Sequence, residues 1–186
     1  MKIAITGNIA SGKSQAEKII AEIYNYPVFD ADKIAHLILD EIDDFYGYDV
    51  FTNGKIDRKK LGQLVFNESN IKHKLEDMVH PKVKEKILEL FEKHKDDKYI
   101  FVSVPLLYEA GFENLFDKVI LITVNEDIQL QRLMARNNLS KEDAIQRIKS
   151  QIPQEEKIKK ADFVITNNAS IEILKKQIEK MCKSFM

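Results

Sequence analysis

The sequence of 186 residues predicts an α/β protein whose core is a five-stranded, parallel, doubly wound sheet. Two observations predict this fold class. Short apolar segments alternate along the chain with stretches in which apolar residues recur at helical spacing. The first apolar segment leads into a glycine-containing loop, and a helical pattern follows directly, which is the order of a phosphate-binding strand, loop and helix.

The first strand is expected at residues 2–6, and residues 7–14 then fit the phosphate-binding pattern G-x-x-x-x-G-K-[ST]. In such a P-loop, backbone N–H groups and the positive end of the helix dipole hold a triphosphate. Lys13 is expected to reach the β- and γ-phosphates, and Ser14 to ligate Mg²⁺. The loop residues predicted to bind ATP are Asn8, Ile9, Ala10, Ser11, Gly12, Lys13, Ser14 and Gln15.

A second strand is expected at residues 28–30, with Asp30 at its end and Asp32 at the start of the next helical pattern. An aspartate in this position is often an ordinary helix cap. In an open α/β sheet, however, ligands bind beyond the carboxyl ends of the strands. One of the two carboxylates could therefore orient or deprotonate an attacking hydroxyl, and the other could help to hold Mg²⁺.

Residues 33–98 contain helical patterns and no convincing strand, which predicts a helical insertion that binds the second substrate. Asn53 and Gly54 predict a tight turn, and Asp57 is a plausible helix cap. The pair His80-Pro81 is expected to break a helix, since the residue before a proline disfavours helical backbone. His80 either contacts a ligand or is a structural histidine at that break.

A third strand is expected at residues 99–104, followed at the edge of the sheet by Pro105, Leu106 and Glu109, although Glu109 also fits a solvated loop. The fourth and fifth strands are expected at residues 118–123 and 163–166. Two helices between them carry Arg132, Arg136 and Arg147, and they predict a lid over the triphosphate at about residues 126–160. The alternative is that these arginines only face solvent.

Composition excludes several classes of function. The net charge of −1 gives no reason to expect nucleic-acid binding, and no apolar run is long enough to cross a membrane. The single Cys182 excludes an internal disulfide and fits a reducing cytosol, so a cytoplasmic location is expected. No signal peptide is expected before the first strand, and nothing implies a protein partner.

Several segments together resemble the dephospho-CoA kinase family, which belongs to the P-loop kinases similar to nucleoside monophosphate kinases. The resemblance extends from end to end of the chain, and the order of its motifs is more specific than the P-loop alone. The matching segments are residues 7–14, Asp30-Ala31-Asp32, residues 75–81 (LEDMVHP), residues 104–109 (VPLLYE), residues 131–136 (QRLMAR) and residues 161–168 (ADFVITNN).

The resemblance implies a single P-loop kinase domain at 1–186, with a core of 1–32, 99–125 and 161–186, an insertion at about 33–98 and a lid at about 126–160. It implies Mg²⁺-dependent transfer of phosphate from ATP to the ribose 3′-hydroxyl of dephospho-CoA, which gives CoA and ADP in the last step of CoA synthesis. Asp32 would act as base or hydroxyl-orienting residue, Lys13 would hold the transferred group, and Arg136 would reach in from the lid.

The remaining implied roles concern the two substrates and the metal. The acceptor side would be lined by Asp32, His80, Pro105, Leu106 and Glu109. Asn167 and Asn168 would lie near the adenine. The metal would be held by Ser14 and Asp30. The family loop usually reads G-G-I-G-S-G-K-S-T, so Asn8, Ala10 and Gln15 depart from it. Lys157 to Lys160 include no arginine, although an arginine is often found in that stretch.

Two alternatives remain at the level of sequence. Another small-molecule or nucleoside monophosphate kinase would share the same chemistry, and only the family motifs argue against it. A GTPase-type switch is a remote alternative, because residues 44–47 fit D-x-x-G by letters but follow no predicted strand, and the guanine-reading pattern N-K-x-D is absent.

Overall fold

The structure is a computed structural model that describes residues 1–40, 50–52 and 55–185. The D-x-x-G letters at 44–47 and the predicted turn at Asn53-Gly54 lie outside the described residues. The chain forms two compact units, Met1–Asp30 with His94–Met186 and Ala31–Lys93, and each is described by itself.

The described residues form strands and helices that are numbered in chain order. The strands are Lys2–Thr6 (β1), Val28–Asp30 (β2), Phe51–Thr52 (β3), Lys55–Ile56 (β4), Ile100–Ser103 (β5), Lys118–Thr123 (β6) and Phe163–Thr166 (β7). The helices are Lys13–Tyr24 (α1), Ala31–Asp40 (α2), Arg58–Asn67 (α3), Ser69–Lys93 (α4), Glu126–Asn137 (α5), Lys141–Lys149 (α6), Gln154–Ile158 (α7) and Ile171–Cys182 (α8).

The first unit contains one parallel sheet of five strands in the order β2-β5-β1-β6-β7. The fold class predicted from the sequence is therefore confirmed. The central strands are apolar along their length because helices cover both faces of such a sheet. Ile3, Ile5, Phe101, Ile120 and Ile122 are buried completely in the core of this unit.

Among the described residues, the second unit contains α2, α3, α4 and the short antiparallel pair of β3 and β4. These two strands correct the expectation that residues 33–98 contain no convincing strand. Each of them has only two residues, which is too short for an alternating pattern to be visible in the sequence. The predicted helix cap is present, since a side-chain oxygen of Asp57 accepts hydrogen bonds from the backbone N–H groups of Lys59 and Lys60.

The expected helix break at His80-Pro81 is wrong, because α4 continues through Pro81 and ends at Lys93. Its buried side chains stay in phase on both sides of the proline, at Ile71, Val79, Val83, Ile87 and Phe91. A proline inside a helix costs about 3 kcal/mol, whereas each large apolar side chain gains roughly 1.5–3 kcal/mol on burial. The continuous apolar stripe therefore outweighs the local preference.

None of the helices within the described ranges has both the length and the apolar character that spanning a membrane requires.

Candidate active site

The carboxyl ends of the five parallel strands form one polar edge of the sheet. The strands end in Thr6, Asp30, Ser103, Thr123 and Thr166, whereas their interiors are mostly apolar. The loop of residues 7–14 leaves β1 at the centre of this edge, beside the place where the chain connections turn to opposite sides of the sheet. Ligands of doubly wound proteins bind at such a place.

The backbone of the loop requires its two glycines. Gly12 has a φ of 89°, and a Cβ at this position would collide with the side-chain amide of Asn167. A Cβ on Gly7 would lie against the carbonyl oxygen of Ile122. Ala10 also has a left-handed backbone, with a φ of 62°, whereas Asn8 does not. Of Asn8 and Ala10, which both replace glycines of the usual family loop, Ala10 therefore has the strained backbone.

Asn167, which directly follows β7, holds the loop in place through a side-chain hydrogen bond. Its side chain is buried, and its Nδ2 donates a hydrogen bond of 2.9 Å to the backbone carbonyl of Ser11. Its backbone N–H donates to the carbonyl of Thr123 at 2.8 Å. The structure therefore brings Asn167, expected near ATP, into direct contact with the loop.

Two glutamines hold the peptide groups at Ile9. Gln129 Nε2 donates to the carbonyl of Ile9 at 2.8 Å, and the N–H of Ile9 donates to Gln151 Oε1 at 2.7 Å. Asn8 Nδ2 adds a bond of 3.1 Å to the carbonyl of Ile152. Sequence reasoning missed Gln129 and Gln151 as binding partners of the loop, and no local pattern relates residues 120 and 142 positions apart.

Lys13 begins α1 and contacts two polar side chains. Its Nζ lies 2.8 Å from Glu17 Oε1 and also donates to Ser103 Oγ, whose own hydroxyl donates to Glu17 Oε1 at 2.6 Å. Ser14 is exposed in the first turn of the same helix. Sequence reasoning missed Glu17, although its position four residues after Lys13 is the spacing of a helical ion pair.

The segment after β5 is tied to the connection before β7. Glu109 Oε1 accepts from Lys157 Nζ at 2.7 Å and from the backbone N–H of Ile152 at 3.1 Å, so Glu109 is not a solvated loop residue. Lys157 is completely buried. Thr6 Oγ1 donates to the carbonyl of Pro105, and the side chain of Leu106 is 42% exposed.

Tyr108 lies beside Glu109 in the chain and is itself buried. Burial and the negative charges of Glu113 and Asp162 raise the pKa of its hydroxyl to about 12. Both causes disfavour the phenolate, so the hydroxyl stays protonated near neutral pH.

The three arginines of the expected lid have different surroundings. Arg132 is half-buried, and its Nη1 donates to the carbonyl of Asn167 at 3.0 Å. Arg136 is exposed near the end of α5, where its Nε donates to Asn137 Oδ1. Arg147 is exposed on α6. A positioning role thus fits Arg132, whereas Arg136 and Arg147 present their guanidinium groups to solvent.

The two aspartates at the junction of β2 and α2 belong to different units. Asp30 is half-buried at the end of β2, in register with Ser103 of β5. Asp32 is exposed in the first turn of α2, and His80 is half-buried inside α4; both belong to the second unit. The role of His80 as a residue at a helix break does not apply, because the helix does not break there.

The donor atoms near the loop fit a magnesium ion that arrives with a nucleotide. Among the described residues, no group of three or more His, Cys, Asp or Glu side chains could hold a metal by itself. Ser14 and Asp30 supply hard oxygen donors. Mg²⁺ is typically bound by one or two such protein ligands together with phosphate oxygens and water.

Comparison with known proteins agrees with this geometry. The model of the family described as dephospho-CoA kinase matches residues 1–172. The chain is 42% identical to the dephospho-CoA kinase of Fusobacterium nucleatum, over 99% of this chain and 98% of that protein. It is 40% identical to the dephospho-CoA kinase of Geobacillus kaustophilus, over 100% of this chain and 96% of that protein. The solved dephospho-CoA kinase from Campylobacter jejuni superposes with a TM-score of 0.73 at 40% identity, over 99% of this chain and 97% of that one.

Proposed function

Because this chain belongs to the dephospho-CoA kinase family, we propose that it transfers the γ-phosphoryl group of ATP to the ribose 3′-hydroxyl of dephospho-CoA. It is an ATP-dependent kinase of CoA biosynthesis, and the products are CoA and ADP. The observation that carries this function is the P-loop on the central strand, with Lys13 and Ser14 opening α1, inside a chain that matches the family over residues 1–172.

The loop and Lys13 serve to bind and neutralise the triphosphate. Gly12 and Ala10 turn the backbone of the loop, so that its N–H groups can face phosphate oxygens. Asn167, Gln129 and Gln151 hold that backbone in place before the nucleotide binds, which avoids a loss of conformational entropy on binding. Lys13 then contributes its charge where the transferred group becomes more negative.

The acceptor hydroxyl and the metal use the two aspartates. Asp32 orients the 3′-hydroxyl or accepts its proton, and Ser14 with Asp30 holds Mg²⁺. When bound, the ion neutralises charge on the phosphate oxygens during transfer. The exposed position of Asp32 and the place of Asp30 at a strand end support these assignments.

The remaining proposed roles follow the division of the chain. The segment at about 126–160 acts as the lid, and its Arg136 reaches the phosphates. Asn167 lies near the adenine. The insertion of about 33–98 binds the acceptor. His80, Pro105, Leu106 and Glu109 line the acceptor side, and the exposed apolar side chain of Leu106 supports its place there. We place the enzyme in the cytoplasm, with ATP and dephospho-CoA as its partners.

The experiment is a phosphoryl-transfer assay with ATP and Mg²⁺. The acceptors are dephospho-CoA, AMP, CMP, dTMP and none, and the variants are Asp32→Asn and a control, Asp77→Asn, on the exposed face of α4. CoA is expected with dephospho-CoA only. Asp32→Asn is expected to lower kcat by roughly 10²–10⁴-fold, the range for general acid–base catalysis, while its Kd for ATP changes less than about threefold.

Two other results would contradict the proposal. A nucleoside monophosphate as the best acceptor would refute the substrate and keep the kinase chemistry. Equal release of ADP with every acceptor and with none would refute the kinase assignment. An Asp32→Asn enzyme as active as Asp77→Asn would remove Asp32 from the mechanism.

A further inference from the structure

This inference rests on the proposed function. If Lys13 binds the phosphates of ATP, the carboxylate of Glu17 loses the cation with which it now pairs. The side chains are only 14% and 16% exposed, and Ser103 Oγ, fully buried on β5, binds both of them. When ATP binds, Lys13 has to turn toward the phosphates. Glu17 would then keep one neutral hydroxyl partner in the cluster, beside a polyanion.

A partly buried carboxylate that loses its cation is costly, and a second anion nearby increases the cost. The cation that arrives together with ATP is Mg²⁺, which prefers oxygen ligands and keeps several of its waters. In P-loop enzymes the metal is held by the loop hydroxyl and by an aspartate of a second motif. Here β5, one of the two strands that pair with β1, ends in Ser103, and the carboxylate that accepts a hydrogen bond from this hydroxyl is that of Glu17.

We propose that Glu17 has two successive partners. Without nucleotide its carboxylate pairs with Lys13, and when MgATP binds it leaves Lys13 and becomes a carboxylate of the Mg²⁺ site. Ser14, one residue after Lys13, and Asp30, in register with Ser103, lie on the same polar edge. Glu17 acts on the ion directly or through one of its waters. In either arrangement, the carboxylate favours MgATP over metal-free ATP.

The test measures binding of a fluorescent ATP analogue with Mg²⁺ and, separately, with EDTA. Glu17→Gln keeps the size of the side chain and removes its charge, and Glu22→Gln on the exposed face of α1 is the matched control. Glu17→Gln is expected to weaken binding about tenfold with Mg²⁺, as for other residues that support a metal. With EDTA it is expected to strengthen binding about threefold, because a repulsive charge is gone and Lys13 is released.

Each other pattern overturns the proposal. Equal strengthening in both arms would mean that Glu17 only holds Lys13, and equal weakening would mean that it only positions the loop. No change in either arm would leave Glu17 without a role in nucleotide binding. Production of CoA by the unmodified enzyme is measured in parallel, so a failed substrate assignment is seen separately from a failed metal assignment.

A direct readout of the metal uses Mn²⁺ in place of Mg²⁺. Electron paramagnetic resonance gives the Kd of Mn²⁺ for the complex of the enzyme with ADP, which is expected to rise about tenfold in Glu17→Gln. The double variant Glu17→Gln with Ser103→Asp returns a carboxylate to the same cluster, because Ser103 Oγ lies 2.6 Å from Glu17 Oε1. Recovery to within about threefold supports the proposal, and a double variant as weak as Glu17→Gln overturns it.

Discussion

Replacing Lys157 by methionine tests how strongly one buried ion pair stabilises the fold. The methionine fills a similar volume and removes the ammonium group, which is completely buried against Glu109. Glu109 would keep the hydrogen bond from the backbone N–H of Ile152. Its other oxygen, Oε2, is buried without a hydrogen-bond partner in the part of the chain that the structure describes.

The magnitude follows from what remains around Glu109. Removing one partner of a buried ion pair costs about 3–5 kcal/mol. The side chain of Glu109 is 19% exposed and keeps the bond from Ile152, which places the loss near about 3 kcal/mol. For a chain of this size, that corresponds to a Tm lower by about 6–12 °C. Lys159→Met, an exposed neighbour, is expected to change stability by less than about 0.5 kcal/mol.

The measurement is urea unfolding followed by circular dichroism, with equal m values required before the free energies are compared. Replacing both partners, as Lys157→Met with Glu109→Met, is expected to cost only about 1 kcal/mol, because just the N–H of Ile152 then loses its acceptor. A loss below about 1 kcal/mol in Lys157→Met would refute the reasoning. Losses that simply add in the double variant would also refute it, because residues in contact should couple.

Three further predictions follow from the site. Ala10→Gly should raise the free energy of unfolding by about 1 kcal/mol in the same urea assay, because a left-handed backbone strains alanine; an unchanged value would refute this strain. Arg136→Ala should lower kcat about tenfold or more without loss of stability. Arg132→Ala should lower the free energy of unfolding by about 1 kcal/mol, because it breaks the bond to the carbonyl of Asn167. Steady-state kinetics and urea unfolding of both variants measure this, and a loss of stability in Arg136→Ala with a loss of kcat in Arg132→Ala would contradict it. Burial and neighbouring negative charge raise the pKa of Tyr108 to about 12, so between pH 10 and 12 the folded state holds a proton that the unfolded state releases, and stability should fall across that window. Tyr108→Phe should reduce this fall, and an identical pH profile in that variant would contradict the shifted pKa.

The sheet and the P-loop could be predicted from the sequence because both depend on local signals. Buried parallel strands are continuous apolar segments, and residues 118–123 and 163–166 match the observed strands residue for residue. The loop is marked by glycines whose spacing its backbone requires. The cap at Asp57 depends on neighbouring residues in the same way.

The contacts that support the site could not be predicted, because they join residues far apart in the chain. Glu109 and Lys157 are 48 positions apart, and Ser103 is 90 positions from Lys13. Tertiary packing also overrides local preference, as it does at Pro81, where a continuous buried stripe keeps α4 intact. Of this network, only the spacing of Lys13 and Glu17 was visible in the sequence.

The two glutamines that hold Ile9 differ in how they would tolerate chemical ageing. Deamidation converts a glutamine into a glutamate, which keeps the acceptor oxygen and loses the donor nitrogen. Gln151 uses its oxygen toward Ile9, so its bond would survive the change. Gln129 uses its nitrogen and is buried, so the same change would place a carboxylate against the carbonyl of Ile9. After deamidation Gln151 would keep its bond to Ile9 and add a negative charge beside the phosphate-binding loop, whereas the bond from Gln129 would be lost because it depends on a single nitrogen atom.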